Sequence, residues 1–147
     1  MTYTIGDIAQ KIGLTPSTLR YYDKEGLLPF VDRTESGIRR FKDSDMEWLS
    51  IIECLKNTGM SIKEIKAFID WCMEGDSSLS QRYELFLERK RETEKQIKML
   101  QNSLDLINYK CWYYKTALDA GTEQIHKALP ADRKKECPYV PHNHAVK

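Results

Sequence analysis

The stretch TIGDIAQKIGLTPSTLRYYDKEGLLP, residues 4–29, carries two short helices and the turn between them. Thr4 can cap the first helix, with Asp7 three residues later in a capping-box position. Ile5, Ile8, Ala9 and Ile12 recur at helical spacing and make one apolar face, and Gly13 closes the helix. Thr15 is a good N-cap for the second helix. Pro16 suits its first position, where a missing N–H costs nothing. Gly26 ends it. Two such helices joined through Gly13 and Leu14 predict a helix-turn-helix.

The second helix has two faces. Leu19 and Tyr22 point with Leu14 and Leu27 towards the first helix. Ser17, Arg20, Tyr21 and Lys24 share the other face at i, i+3, i+4 and i+7. Hydroxyls, a guanidinium, a phenol and an ammonium are ligands for phosphates and base edges. A solvated surface helix gives the same pattern, so the next segment matters. Leu28-Pro29-Phe30-Val31 and Ile38-Arg39-Arg40-Phe41 read as two short strands around Thr34-Glu35-Ser36-Gly37. This hairpin carries Arg33, Arg39 and Arg40 directly after the polar helix face. It predicts a wing that reaches flanking DNA.

Beyond the wing, Asp43 or Ser44 starts a largely apolar helix that ends at Thr58-Gly59. Ser61-Ile62-Lys63-Glu64 is a capping box for a fourth helix, broken at Gly75-Asp76. Its N-terminus, with Lys63 in the first turn, is read either as a phosphate clamp or as the start of a plain helical hairpin. From Leu79 to Leu118 there is no Gly or Pro. Leu79, Tyr83, Phe86, Lys90, Thr93, Ile97, Leu100, Leu104, Ile107, Cys111, Tyr114 and Leu118 alternate spacings of four and three, an a/d heptad seam. At about 1.5 Å per residue this is a helix of about 60 Å. A stripe that long needs a partner helix, and a second copy is the economical one. Residues 1–75 therefore read as a DNA-binding head with a helix pair, 79–120 as a dimerisation helix and 121–147 as a flexible tail.

The chain has 147 residues, net charge +1, 41% apolar and 31% charged residues. Global charge does not announce nucleic acid. Between Arg20 and Lys42 the bases are mixed with Asp23, Glu25, Asp32 and Glu35, so folding must sort the charges onto different faces. No stretch reaches the roughly 20 apolar residues of a membrane span, and Met1-Thr2-Tyr3-Thr4 begins no signal core, which places the protein in the cytoplasm. Cys54, Cys72, Cys111 and Cys137 form no CxxC pair and are expected to be reduced and mostly buried. There is no nucleophile–base constellation and no Gly-rich phosphate loop, so neither enzymatic activity nor a cofactor is expected.

The quoted stretch, SGIRRF at residues 36–41 and TGMSIKEI at residues 58–65, together with the order of head, wing, helix pair and long helix, resembles the MerR family of bacterial regulators. The resemblance implies a mostly α fold with a winged helix-turn-helix head and a coiled-coil dimerisation helix. It implies a homodimer on a near-palindromic operator in double-stranded promoter DNA. There the two RNA polymerase elements lie too far apart until the regulator bends and untwists the DNA. By position, Arg20 and Tyr21 would contact phosphate, Ser17 and Thr18 would approach base edges, and Arg39 and Lys42 would anchor the wing. Lys63 would hold backbone, and Thr15, Lys24 and Arg40 complete the expected DNA-contacting set. Ile97, Leu100, Leu104, Ile107, Cys111, Tyr114 and Leu118 would line the dimer interface.

The inducer is less defined. DMEWLSIIECLKNTGMSI, residues 45–62, is similar to the aldehyde- and electrophile-responsive branch (AdhR/NmlR-like), in which a cysteine at the position of Cys54 is the sensor thiol. Lys56 and Lys63 lie near it in sequence, but so does Glu53, and a packed helical cysteine remains the alternative. Cys137, His142 and His144 make a C-x4-H-x-H cluster that either binds a soft ion or is incidental; no metal site is assigned. A metal- or small-ligand-responsive regulator of the same family, and a plain coiled-coil interaction protein, are the alternatives.

Overall fold

The computed structural model describes residues 1–138. It consists of β1 (Thr2–Tyr3), α1 (Ile5–Ile12), α2 (Pro16–Lys24), β2 (Asp32–Arg33), β3 (Arg39–Lys42), α3 (Asp43–Asn57), α4 (Ile62–Glu74), α5 (Leu79–Ala120) and α6 (Ile125–Ala128). Short 3-10 turns lie at Asp76–Ser78 and Ala131–Arg133. Two compact units divide at Glu92 and Thr93, within the sequence of α5.

The helices start where the caps predict. Thr4 Oγ accepts from Asp7 N at 3.3 Å while the Asp7 carboxylate accepts from Thr4 N at 2.9 Å. Ser61 and Glu64 repeat the box, with Glu64 accepting from Ser61 N at 2.8 Å. Gly13, at φ 72°, takes the left-handed conformation that ends α1 without a Cβ clash. Helices α1 to α4 enclose one core: Ile8, Leu19, Tyr22, Leu27, Phe41, Leu49, Ile52, Leu55, Ile65 and Ile69 are buried. Each such side chain contributes about 1.5–3 kcal/mol.

The boxes tie stability to pH. Asp7 is held below the ordinary carboxylate range chiefly by the Thr4 hydroxyl, and Glu64 chiefly by the Ser61 backbone N–H. A carboxyl lowered in the folded state contributes stability that is present above its unfolded pKa, about 4, and lost as pH falls through the folded value. The melting temperature is therefore expected to drop on acidification below about pH 4, and to drop less in an Asp7→Asn/Glu64→Gln variant. Parallel acid slopes for both proteins, followed by circular dichroism, would count against the boxes.

Two expectations are corrected. The wing is part of a three-stranded antiparallel sheet of order β1-β3-β2, with Tyr3 opposite Phe41 and Asp32 opposite Arg40. Leu28–Val31 is not a strand: Leu28 is buried, Phe30 stacks on Trp48 at 5.4 Å, and the apolar run plugs the core as a turn. The residues after α5 begin with a packed turn of helix. His126 stacks on Tyr113 at 3.7 Å, sits edge-on to Trp112, and bonds the Tyr113 carbonyl at 2.9 Å, which holds α6 on α5 within the second unit.

A candidate nucleic-acid interface

Helix α2 is anchored by its apolar face. Leu19 is fully buried, and the buried Tyr22 hydroxyl donates to Glu53 and accepts from Lys56 Nζ at 2.9 Å. Burial, then the bond to Glu53, raises the Tyr22 phenol above its usual range, so it stays a neutral donor. This polar knot and the surrounding core fix α2 on α3. Its other face is thereby presented outward: Ser17, Arg20, Tyr21 and Lys24 are all exposed. Arg20, Lys24, Arg40 and Lys63 make no ion pair among the described residues, which leaves four cations of one compact unit free for an external anion.

Other members of the expected set are already engaged. Thr15 Oγ caps α2 by accepting from Thr18 N at 3.1 Å, and the two hydroxyls pair at 2.9 Å. The Lys42 ammonium meets Asp32 at 2.6 Å, a bond that raises its pKa. Arg39, expected from sequence to anchor the wing, is held internally as well. Its Nε donates to Asp23 Oδ2 at 2.8 Å, and Arg33 Nη2 reaches the same oxygen. The sequence offers Asp23 only as one of the acids mixed among the bases between Arg20 and Lys42. The signal that could have found it is the hairpin itself, because a turn centred on residues 34–38 sets Arg33 opposite Arg39.

The cysteines also depart from expectation. Cys54, Cys111 and Cys137 are exposed and Cys72 is half-buried, where burial raises its thiol pKa. On α3 the buried positions are Asp45, Leu49, Ile52 and Leu55. Cys54 lies off that stripe, two residues from Ile52 and so on the opposite side. His142 and His144 lie outside the described residues, so the tail cluster is represented there by Cys137 alone. Among the described residues no group of three or more potential ligands could hold a metal ion.

On α5, Ile97 is 61%, Leu100 71% and Leu118 76% exposed, and Leu104, Ile107, Cys111 and Tyr114 are exposed as well. No helix is long and apolar enough to cross a membrane among the described residues.

Comparison with known proteins places this geometry. Residues 3–70 match the family described as "MerR HTH family regulatory protein". The chain is 48% identical to an uncharacterised HTH-type transcriptional regulator of Haemophilus influenzae, over 83% of this chain and 90% of that one. It is 36% identical to the HTH-type transcriptional regulator AdhR of Bacillus subtilis over 59% of this chain, and spans 62% of AdhR. Among solved structures it resembles HiNmlR, a MerR family regulator lacking the sensor domain, bound to promoter DNA. There the TM-score is 0.78 at 47% identity, covering 88% of this chain and all of that one.

Proposed function

The chain belongs to the MerR family of helix-turn-helix regulatory proteins and is a DNA-binding transcription regulator; on that premise we propose that it acts as a cytoplasmic homodimer that distorts promoter DNA for RNA polymerase. The observation that carries the dimer is the exposed stripe of Ile97, Leu100, Leu104, Ile107, Tyr114 and Leu118 along one helix. Soluble proteins rarely leave such a stripe in water, and a seam with a/d spacing is covered by another helix of the same kind. Two heads tied to one coiled coil fit a two-fold operator.

On each half-site, Ser17 and Thr18 approach base edges from α2, with Thr15 at its N-cap. Arg20, Tyr21 and Lys24 take phosphates. Arg40, with Arg39 and Lys42 at the wing, and Lys63 at the start of α4, extend the contact along the backbone. The free cations on α2, the wing and α4 support this assignment. Distortion would realign two polymerase elements that are spaced too far apart. Shortening the spacer by about two base pairs is then expected to make transcription independent of the protein. A shortened promoter that still needs the regulator would contradict the mechanism.

The finer proposal is that Cys54 is the sensor thiol for reactive carbonyls. Its exposure supports this, since modification requires access. Cys54→Ser is expected to bind operator with unchanged affinity and to lose induction by formaldehyde in reconstituted transcription. An undiminished response in that variant, with peptide mapping showing Cys54 unmodified in the native chain, would remove the thiol from the account.

A further inference from the structure

The wing contains an arrangement that is unfavourable by itself. Arg33 and Arg39 are directly opposite each other across β2 and β3. Like charges in that position destabilise a strand pair. The sheet is short, with two residues in β2 and four in β3, so few ladder bonds offset the repulsion. What reconciles the pair is a carboxylate from outside the hairpin. Asp23, on the last turn of α2, offers Oδ2 to both guanidiniums: to Arg39 through Nε at 2.8 Å and also through Nη2, and to Arg33 through Nη2 at 2.5 Å. Arg33 Nη1 also donates to Gly37 O at 3.2 Å, which extends the network to the tip of the wing. Gly37, at φ 81°, lets the tip turn back so that its carbonyl is within reach.

The Asp23 side chain is 15% exposed and that of Arg39 26%. This pair is shielded, unlike the surface pairs of α5 such as Lys115 with Asp119. The cluster keeps one net positive charge. A guanidinium carries five N–H donors, so donors remain for a phosphate after Asp23 is satisfied.

We propose that Asp23 is a positioning residue for DNA recognition: by holding Arg33 and Arg39 together it fixes the wing against α2, and so sets where the wing meets the duplex relative to the major-groove contacts of Ser17 and Arg20. This rests on the wing and α2 contacts proposed above. Asp23 touches no DNA in this reading. It converts two mutually repelling arginines into one preorganised anchor, and binding then does not have to order the wing. The salt linkage follows. While both arginines are held by Asp23, they displace fewer counterions from DNA than two free ones would.

The test compares full-length wild type, Asp23→Asn and Asp23→Glu on two probes, a duplex enriched by this protein from a randomised pool and a scrambled duplex of the same length. Asp23→Asn is expected to lower the ratio of selected to scrambled affinity by about tenfold or more, while affinity for the scrambled duplex holds or rises. Its log K against log salt slope should steepen by about 1 per head, because the cluster gains one positive charge when Asp23 is neutralised. Hydroxyl-radical protection should weaken at the flanks touched by the wing and persist at the centre of each half-site.

Asp23→Glu keeps the charge but lengthens the side chain by one methylene. It is expected to keep the wild-type slope and lose part of the discrimination. It also answers the question should Asp23→Asn fail to fold. Wild-type discrimination and flank protection in Asp23→Asn would overturn the positioning role, as would an equal loss on both probes in Asp23→Glu. So would an equal loss on both probes in Asp23→Asn, because a purely structural residue weakens all binding together. If the footprint is lost over each half-site in wild type as well, the failure lies in the proposed contacts and not in Asp23.

Discussion

Replacing Arg20 with alanine is expected to lower affinity for a selected operator duplex at least a hundred-fold while leaving the fold intact. Arg20 lies on the exposed face of α2 and makes no ion pair among the described residues, so its removal leaves no internal partner unsatisfied. A charge-assisted hydrogen bond is worth about 1.5–3 kcal/mol, and a symmetric dimer loses two of them, about 3–6 kcal/mol together. The contact is with phosphate, so the loss should be similar across operator sequences. It should also flatten the log K against log salt slope by about 2 per dimer. Filter binding across a salt series separates the outcomes. A full loss with an unchanged slope would mean that Arg20 reads a base, and unchanged affinity would remove it from the interface.

The second large effect lies on α5. Leu104→Glu is expected to leave each head folded and to prevent dimerisation at micromolar concentration. In the separate chain Leu104 is exposed, so a carboxylate there costs little. Across a two-fold seam the same change removes two apolar side chains, each worth about 1.5–3 kcal/mol when buried, and puts two carboxylates into an apolar interface. Operator binding should fall with dimerisation, because each half-site alone supplies only part of the affinity. Sedimentation equilibrium of the variant reads the effect directly. A stable dimer of Leu104→Glu would place the interface elsewhere.

Much of the head is legible in the sequence because its signals are local. Thr4 with Asp7, Thr15 with Pro16, and Ser61 with Glu64 each mark a helix start by chemistry confined to four residues, and α1, α2 and α4 begin there. The a/d spacing of α5 is equally local. What escapes is set by tertiary pairing. Strand β1 has two residues, too few for any periodicity, and exists because β3 offers it an edge. Leu28–Val31 has the composition of a strand, but its apolar side chains serve the core. Helix α6 has four residues and depends on the stacking of His126 against Tyr113, a contact between positions thirteen apart.

The candidate site divides in the same way. The free face of α2 follows from helical spacing, whereas the engagement of Arg39 does not. That requires the register of β2 on β3 and the position of α2 beside them. Cys54 could be read as packed or accessible until the buried stripe of α3 was fixed by its neighbours. Its exposure follows from Asp45, Leu49, Ile52 and Leu55, and not from anything in its own vicinity that marks a reactive thiol.

The central claim is that two copies read two related half-sites. Selection of duplexes from a randomised pool by the full chain, followed by analytical ultracentrifugation of the selected complex, tests it most directly. The expected result is an inverted repeat with its half-sites on one face of the helix, bound by two chains per duplex. A single unrepeated site bound by one chain would contradict the account.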